Sequence, residues 1–402
     1  MKHKNQQATS PGNSDDSTDF SDVAVVTVAT GSYLHRVRAL FESVRELMPG
    51  SLQVVCCLDA VSDRLDPSKE EFEVIEARDL GLPRYDQLML AFNPIAACCA
   101  LKPHIALHAL ECDHIRRVLY LDNDVGLYQK PEVMLELLHR HSFVVTPHNI
   151  APFPNDITLD ESMQVKTGVY NAGIFGVSKV AEGISFLKWW ANWMLDPRHV
   201  NDKYFYDQLW LNYVPAYCQD ACILRDPGYN VAYWNLAERD LHAVDGSFFC
   251  GDHSLVAFHF GSFDDREPNR LIPKALSRYF FDEDNYGNEA TRLLCVETAE
   301  LWKDHGRNQC MEWDYQYRTW SDGVDVRDSE RLFVQNKWDI IPPDIDMWAA
   351  NLQQQEPQLF CGMRKEWLHE QMNLRKRMRH HISKLLDFSL RDVLHGCRKI
   401  RR

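Results

Sequence analysis

The run Val118-Leu119-Tyr120-Leu121-Asp122-Asn123-Asp124-Val125 constrains this chain more than any other segment. Four apolar or aromatic residues lead directly into two carboxylates set one residue apart. Such a run predicts a buried strand, and a carboxylate pair at its end falls where a parallel sheet opens to solvent. Alternate side chains of an extended chain share a face, so Asp122 and Asp124 are able to address one cation. Hard oxygen donors suit Mg²⁺ or Mn²⁺, ions commonly shared with a diphosphate. A solvated strand end or an Asx turn is the competing reading, because Asp and Asn favour both.

The 402 residues suffice for two domains, or for one large α/β domain with an appendage. A formal net charge of −14 argues against a general nucleic-acid-binding body. No stretch reaches the ~18–20 apolar residues of a membrane span. Residues 1–22 are polar, without the apolar segment of a signal peptide, and read as a disordered leader. The twelve cysteines lack zinc-type CxxC spacing and read mostly as buried free thiols of a cytoplasmic protein. Cys218 and Cys222, four apart, are a weak metal hint.

Val23 to Ala29 predicts a first strand, followed by a turn at Thr30-Gly31-Ser32. Leu34, Val37, Leu40, Phe41, Val44, Leu47 and Met48 recur at helical spacing until Pro49-Gly50 stops the pattern. Strands follow at Leu52–Leu58, which ends at Asp59, and at Phe72–Ala77. A helix is expected around Asn93–Leu110, then the Asp122 strand, a short helix near Pro131 and a strand at Phe143–Thr146. This alternation implies an open, mostly parallel sheet with helices on both faces. Thr30, Asp59 and Asp122 all fall at carboxyl ends of strands, where such sheets bind ligands. Further strands are expected at Val169–Val177 and Leu255–Phe260, and a helix at Ile184–Leu195 whose tryptophans read as core. From about 264 to 363 the texture is helical and aromatic. Arg364 to Arg402 holds twelve Lys or Arg against four Asp or Glu. Leu374, Met378, Ile382, Leu385 and Leu386 keep helical spacing there. That pattern fits either a basic amphipathic helix on an anionic membrane surface or a helix packed on the body.

Several segments share an order with a known pattern. Asn171-Ala172-Gly173 enters an apolar strand, Asp207-Gln208 opens an expected helix, and His259 stands in Phe258-His259-Phe260-Gly261. After an Asp-x-Asp, these resemble the GT-A glycosyltransferases, in particular the retaining glycogenin and galactosyltransferase type (family 8). The resemblance spans roughly residues 23–263. Asp226-Pro-Gly-Tyr-Asn-Val-Ala-Tyr-Trp-Asn235 and Phe258 to Asp264 are similar to segments of a set of bacterial glycosyltransferases.

The resemblance implies a GT-A α/β domain over 23–263, a helical region over 264–363 and roles for individual residues. Asp122, Asp124 and His259 would hold Mn²⁺ or Mg²⁺, the imidazole tilting the preference toward Mn²⁺. Ala29, Thr30 and Tyr33 would grip the nucleotide, with Asp59 facing the base or capping a turn. Lys102 would approach the donor, or be a surface lysine beginning a helix. Asp122, Asn123, Asn171, Gly173 and Gly261 complete the donor-binding set. Asp207 and Gln208 would act beside the anomeric carbon, Asp207 on sugar hydroxyls and Gln208 on the developing oxocarbenium charge. Family 8 enzymes usually follow the metal histidine with Gly-x-x-Lys, which clamps the diphosphate. This chain has Phe260-Gly261-Ser262-Phe263-Asp264-Asp265-Arg266 there, which leaves Arg266, Arg270 or Lys274 as substitutes.

The implied activity is transfer of a hexose from a UDP-sugar to a glycan or lipid-linked acceptor with retention, at the inner face of a membrane if the basic tail docks there. Inversion stays open, because Asp156, Asp160 and Glu161 lie in an expected acceptor loop. A nucleotidyltransferase shares the sheet and the carboxylates, but Ala29-Thr30-Gly31-Ser32-Tyr33 lacks its Gly-rich basic loop. A scaffold or carbohydrate-binding protein that has lost catalysis is the non-enzymatic alternative.

Overall fold

The structure is a computed structural model. It describes residues 19–61, 64–152, 161–201, 206–272, 289–343, 346–348, 354 and 356–360. The polar leader up to residue 18, Asp156, Asp160, Lys274 and the basic tail lie outside the described residues.

The expected runs fold as strands β1 (Val23–Ala29), β2 (Leu52–Cys57), β3 (Glu73–Glu76), β4 (Arg117–Leu121), β6 (Phe143–Pro147) and β7 (Tyr170–Ser178), and two three-residue strands that were not expected, β5 (Val125–Leu127) and β8 (Ala221–Ile223), join them. Among the described residues, seven of them form one sheet in the order β3-β2-β1-β4-β7-β6-β8. β1 pairs in parallel with β2 and β4, and β2 with β3. β7 runs antiparallel between β4 and β6, while β8 is parallel to β6. The fold class is the expected one: α/β, with a mostly parallel central sheet. The order reverses at β1, so the crevice between the carboxyl ends of β1 and β4 is the switch point where such sheets bind ligands.

Helices cover both faces. α1 (Leu34–Leu47) turns Leu34, Val37, Leu40, Phe41 and Val44 into one buried face. α2 (Tyr85–Ala91) leads to α3 (Pro94–Glu111), which starts where the Asn93 side chain accepts from Ala96 N at 2.8 Å. That cap satisfies one orphan N–H of the first turn. α3 packs on the opposite face, beside Trp190 and Met194 of α6 (Ala181–Met194). α4 (Glu132–Leu138) adds Met134, Leu135 and Leu138 to the α1 side of the core, and α5 (Glu161–Thr167) precedes β7 in sequence.

Three local expectations differ from what folds. Asp207-Gln208 opens a 3₁₀ segment, Gln208–Tyr213, and then one α-turn, Val214–Tyr217. Pro215 has no N–H for the Leu211 carbonyl, which disfavours an α-helix running from Gln208 through it. A small antiparallel sheet, Leu241–Val244, Ser247–Cys250 and His253–Ser254, was not expected. Its signal is the two-residue turn Asp245-Gly246, both at positive φ (49° and 80°), as a type I′ hairpin requires. Lys102 does not begin a helix at the surface; it lies midway along α3 and is buried.

The helices beyond residue 288 close over the sheet. Phe333, Val334, Trp338 and Phe360 join the core of β1, β4 and α3. Leu294 and Trp302 of the helix Glu289–Asp304 pack with Phe258, Phe260 and Phe263. Arg331 is held by the carbonyls of Met89, Leu90 and Tyr317 at 2.8–3.1 Å and also donates to Phe92 O. The ten described cysteines are free thiols.

Three histidines, buried His35 and His148 and half-buried His104, give the fold an acid-sensitive limb. Burial lowers the pKa of His35, of His104 and of His148 to about 4. The unfolded chain therefore binds more protons between about pH 4 and 6.5, and stability falls as pH drops through that window. At pH 5 each histidine should cost roughly 1–2 kcal/mol relative to pH 7. Urea midpoints at pH 7 and pH 5 measure this, and His104→Gln should flatten part of the slope. A His104→Gln slope equal to that of wild type would mean that His104 does not stay neutral in the folded protein.

Candidate active site

Asp122 and Asp124 follow β4, and His259 ends the strand β12 (Ala257–His259), with β9 to β11 being the three strands of the small sheet. Antiparallel pairing of β12 with β5 sets His259 opposite Val125. Phe260 N then donates to Asp124 O at 2.8 Å, which fixes the histidine beside the carboxylates. One ligand atom from each of Asp122, Asp124 and His259 lies within 4.8 Å of the others. His259 Nε2 is 3.1 Å from Asp124 Oδ1 and 3.9 Å from Asp122 Oδ2. Burial opposes an imidazolium here, but the two carboxylates outweigh it and raise the His259 pKa. Nδ1 of the same ring is buried and has no hydrogen-bond partner among the described residues. Two hard oxygens and one imidazole nitrogen fit a divalent cation such as Mn²⁺ or Mg²⁺.

Gly173 is what lets these groups meet. A Cβ on Gly173 would stand 2.4 Å from His259 Cε1 and 2.8 Å from both Asp122 Oδ2 and Asn171 Oδ1. No side chain fits there. Asp122 N donates to Gly173 O at 2.8 Å, so β7 is tied to β4 at this level.

Lys102 reaches in from α3. Its Nζ lies 3.0 Å from Asp122 Oδ1, 3.1 Å from Asp207 Oδ2 and 3.2 Å from Ala172 O. Burial disfavours its charge, but Asp122 and Asp207 outweigh that and hold the ammonium protonated. Asp207 is itself buried, and its pKa is raised by desolvation. Tyr120 OH donates to Asp122 Oδ1 at 2.8 Å.

Gln208 and Asn171 form the next layer. Gln208 Oε1 accepts from Asn171 Nδ2 at 3.2 Å and Ala172 N at 3.3 Å, while its Nε2 donates to Thr167 O at 2.8 Å. Asn171 Oδ1 accepts from Gly173 N at 2.8 Å. His148 Nε2 lies 3.2 Å from Asn171 Nδ2, and burial lowers the His148 pKa to about 4, so it stays neutral.

The expected nucleotide-side residues occupy the opposite rim. Ala29 is buried at the end of β1, Thr30 Oγ1 meets Ser32 Oγ at 2.8 Å, and Tyr33 is exposed. Asp59 accepts from Gly31 N at 2.7 Å and from Gln316 N at 2.6 Å, so both of its oxygens tie the β1 loop to the C-terminal segment. Asn123 Nδ2 donates to Val28 O at 2.8 Å, which stitches β4 to β1 at the switch point. Gly261 lies under the ring of Trp234. Of the substitutes for the missing lysine, exposed Arg266 is paired with Asp264 at 2.6–2.8 Å.

No family model matches the chain. A curated relative, the uncharacterized protein YfnD of Bacillus subtilis (strain 168), is 21% identical over 171 residues. That match takes in 41% of this chain, and the chain spans about half (53%) of the relative's length. Among solved structures, galactosyltransferase LgtC in complex with donor and acceptor sugar analogs is 15% identical, with a TM-score of 0.41 over 70% of this chain and 95% of that one. Glycosyltransferase GlyE of Streptococcus pneumoniae TIGR4 is 12% identical, with a TM-score of 0.39 over 74% and 66%. A glycosyltransferase involved in glycosylation of the major capsid of PBCV-1 is 13% identical, with a TM-score of 0.34 over 59% and 91%. All three are glycosyltransferases by name. At these identities the reaction must be argued from this chain's own residues.

The structure adds residues that the sequence did not single out. Trp234 packs edge-on against both His259 (5.2 Å between centroids) and His148 (5.5 Å). It stands within Asp226–Asn235, whose Asn235 donates to His148 O and Asn230 O at 2.7 and 2.9 Å, so that motif is a brace for the histidines. Trp313 closes the β1 loop: a Cβ on Gly31 would be 2.5 Å from its ring. Arg36 Nη1 lies 4.0 Å from Asp124 Oδ2. A cation on the first turn after β1 was visible in the sequence, but its direction was not.

Proposed function

We propose that this protein is a metal-dependent glycosyltransferase that moves a hexose from a nucleotide-diphosphate sugar, a UDP-sugar by the resemblance, to a glycan or lipid-linked acceptor with retention. The meeting of Asp122, Asp124 and His259 at the switch point, 135 residues apart in sequence between Asp124 and His259, is the observation that carries this reading. A divalent cation held there would neutralise the negative charge that develops on the departing nucleoside diphosphate. Lys102 pairs with both Asp122 and Asp207 and holds the two carboxyl groups in register. Asn171, Gln208 and Asp207 line the place of the sugar, where Asp207 takes hydroxyl hydrogen bonds and the Gln208 carbonyl faces the oxocarbenium charge. The same buried layer excludes water, so the acceptor hydroxyl is the nucleophile of choice. Of the carboxylates that keep inversion open, Asp156 and Asp160 lie outside the described residues and Glu161 begins α5 rather than a loop; retention with the proton passing to the leaving phosphate is the form preferred here.

The packed β1 loop argues against a nucleotidyltransferase. Gly31 is roofed by Trp313 and tied to Asp59, which leaves no open Gly-rich cradle for a triphosphate. Among the described residues no helix is long and apolar enough to cross a membrane. The lipid-proximal acceptor therefore rests on the basic tail.

A thermal-shift screen of UDP-glucose, UDP-galactose, UDP-N-acetylglucosamine and GDP-mannose, with and without Mn²⁺, tests the reading. One donor should raise Tm in a Mn²⁺-dependent way, and the same mixture should release nucleoside diphosphate. Release of pyrophosphate from a nucleoside triphosphate and a sugar 1-phosphate would replace this reading with the nucleotidyltransferase.

A further inference from the structure

The acidic triad, Lys102 and the Asn171–Gln208 layer all have a place in the proposed reaction, but the cation nearest Asp124 does not. Arg36 stands in the first turn of α1, directly after the β1 loop. Its guanidinium carbon lies 4.4 Å from the centroid of the Tyr33 ring and 4.1 Å from that of Trp302. Its Nε is buried and makes no hydrogen bond among the described residues. Asp124 is 4.0 Å away, beyond hydrogen-bond reach. Buried N–H groups are nearly always paired, and a guanidinium carries five donors in a fixed fork. Packing on aromatic faces holds the cation through the ring quadrupoles and leaves those donors unspent. A charged, held and largely covered fork therefore stands beside the acidic pair, with its side chain 13% exposed.

We propose that Arg36 grips the diphosphate of the sugar nucleotide, in place of the lysine that this chain lacks after His259. This rests on the glycosyltransferase reading. A guanidinium fork matches two phosphate oxygens with parallel hydrogen bonds, which a single ammonium cannot do. Arg266 is exposed and already engaged by Asp264, so it offers no comparable fork. The diphosphate also explains the distance to Asp124: an anion bridging the acidic site and Arg36 takes up the gap that a direct ion pair leaves open. Trp302, from the helix Glu289–Asp304, then has a defined task, which is to position the fork.

Calorimetric titration of UDP and of uridine, both with Mn²⁺, decides the matter on wild type, Arg36→Gln and Arg36→Lys. Wild type should bind UDP far more tightly than uridine. Arg36→Gln should lose roughly 10- to 100-fold in UDP affinity with uridine unchanged. Arg36→Lys keeps the charge and stem, loses the fork, and should fall between the two; it is the deciding variant if Arg36→Gln does not melt cooperatively. Wild-type UDP affinity in either folded variant overturns the assignment of Arg36 alone. A wild-type protein that binds none of UDP, GDP, ADP and dTDP overturns the glycosyltransferase reading and this proposal together.

Discussion

Replacing Asp124 with alanine is expected to lower metal-dependent sugar transfer by at least roughly 10²–10³-fold while leaving the protein folded. Asp124 faces His259 Nε2 at 3.1 Å, and its carboxyl is held below the usual carboxylate range: burial pushes it up, but His259, Arg36 and Lys102 outweigh that. The group is thus an anion poised for a cation. Its loss removes one of two carboxylates from the site and uncovers the charge that develops on the leaving diphosphate. The fold should tolerate the change. The bond that fixes β12 here uses the Asp124 carbonyl, which alanine keeps. Lys102 retains Asp122 and Asp207 as partners. Turnover with Mn²⁺, read beside a thermal melt, gives the answer; an Asp124→Ala protein with full activity would remove the basis of the assignment.

Gly173→Ala should cost nearly as much at the site without touching a single ligand. The added methyl would stand 2.4 Å from His259 Cε1 and 2.8 Å from Asp122 Oδ2, well inside contact distance. Neither neighbour has room to yield. Asp122 is fixed by Tyr120 and Lys102, and His259 by Trp234 and the β5–β12 pairing. On the β4 side the strand is held at this level by the bond from Asp122 N to Gly173 O, while its register against β6 shifts between Asn171 and Phe175. The expected result is a roughly 10- to 100-fold loss of Mn²⁺ affinity and a stability loss of about 1–3 kcal/mol. Gly176→Ala serves as the control on the same strand. Its Cβ would meet only the Leu138 side chain, 2.7 Å from Cδ1, so it should cost stability and spare the metal affinity. Calorimetric Mn²⁺ titration and urea midpoints of both variants separate the two effects. Equal metal affinity in Gly173→Ala and wild type would show that the triad does not bind metal in the arrangement described.

The strands and helices that frame the site were legible because their signals are local. Val23–Ala29 and Arg117–Leu121 are short apolar β-branched or aromatic runs, and α1 carries an unbroken helical stripe. Asp122 and Asp124 could be paired from sequence because a strand repeats every two residues. The helix expected at Asp207-Gln208 folds as a 3₁₀ segment followed by one α-turn, and Pro215, which disfavours a continuous α-helix there, is in plain view. The hairpin at Asp245-Gly246 was likewise visible as a type I′ turn signal.

Other features have no local signature. Lys102 could be read as approaching the donor or as beginning a helix at the surface, and only the packing of α3 seats its ammonium between Asp122 and Asp207. Asp59 reads as a partner for a ligand, yet both its oxygens are taken by backbone N–H groups, one of them 257 residues away. Arg36 and Trp302 are ordinary residues until packing lays one over the other.

The sequence alone determined the alternation of strand and helix, the carboxylates at a strand end and the residue types able to hold a divalent cation, because propensity and side-chain periodicity act over a few residues. Only the tertiary structure decided that His259 meets Asp124, that Gly173 makes room for them and that Arg36 faces the pair. Those are matters of strand pairing and excluded volume between distant segments, and they exist only once the chain has closed upon itself.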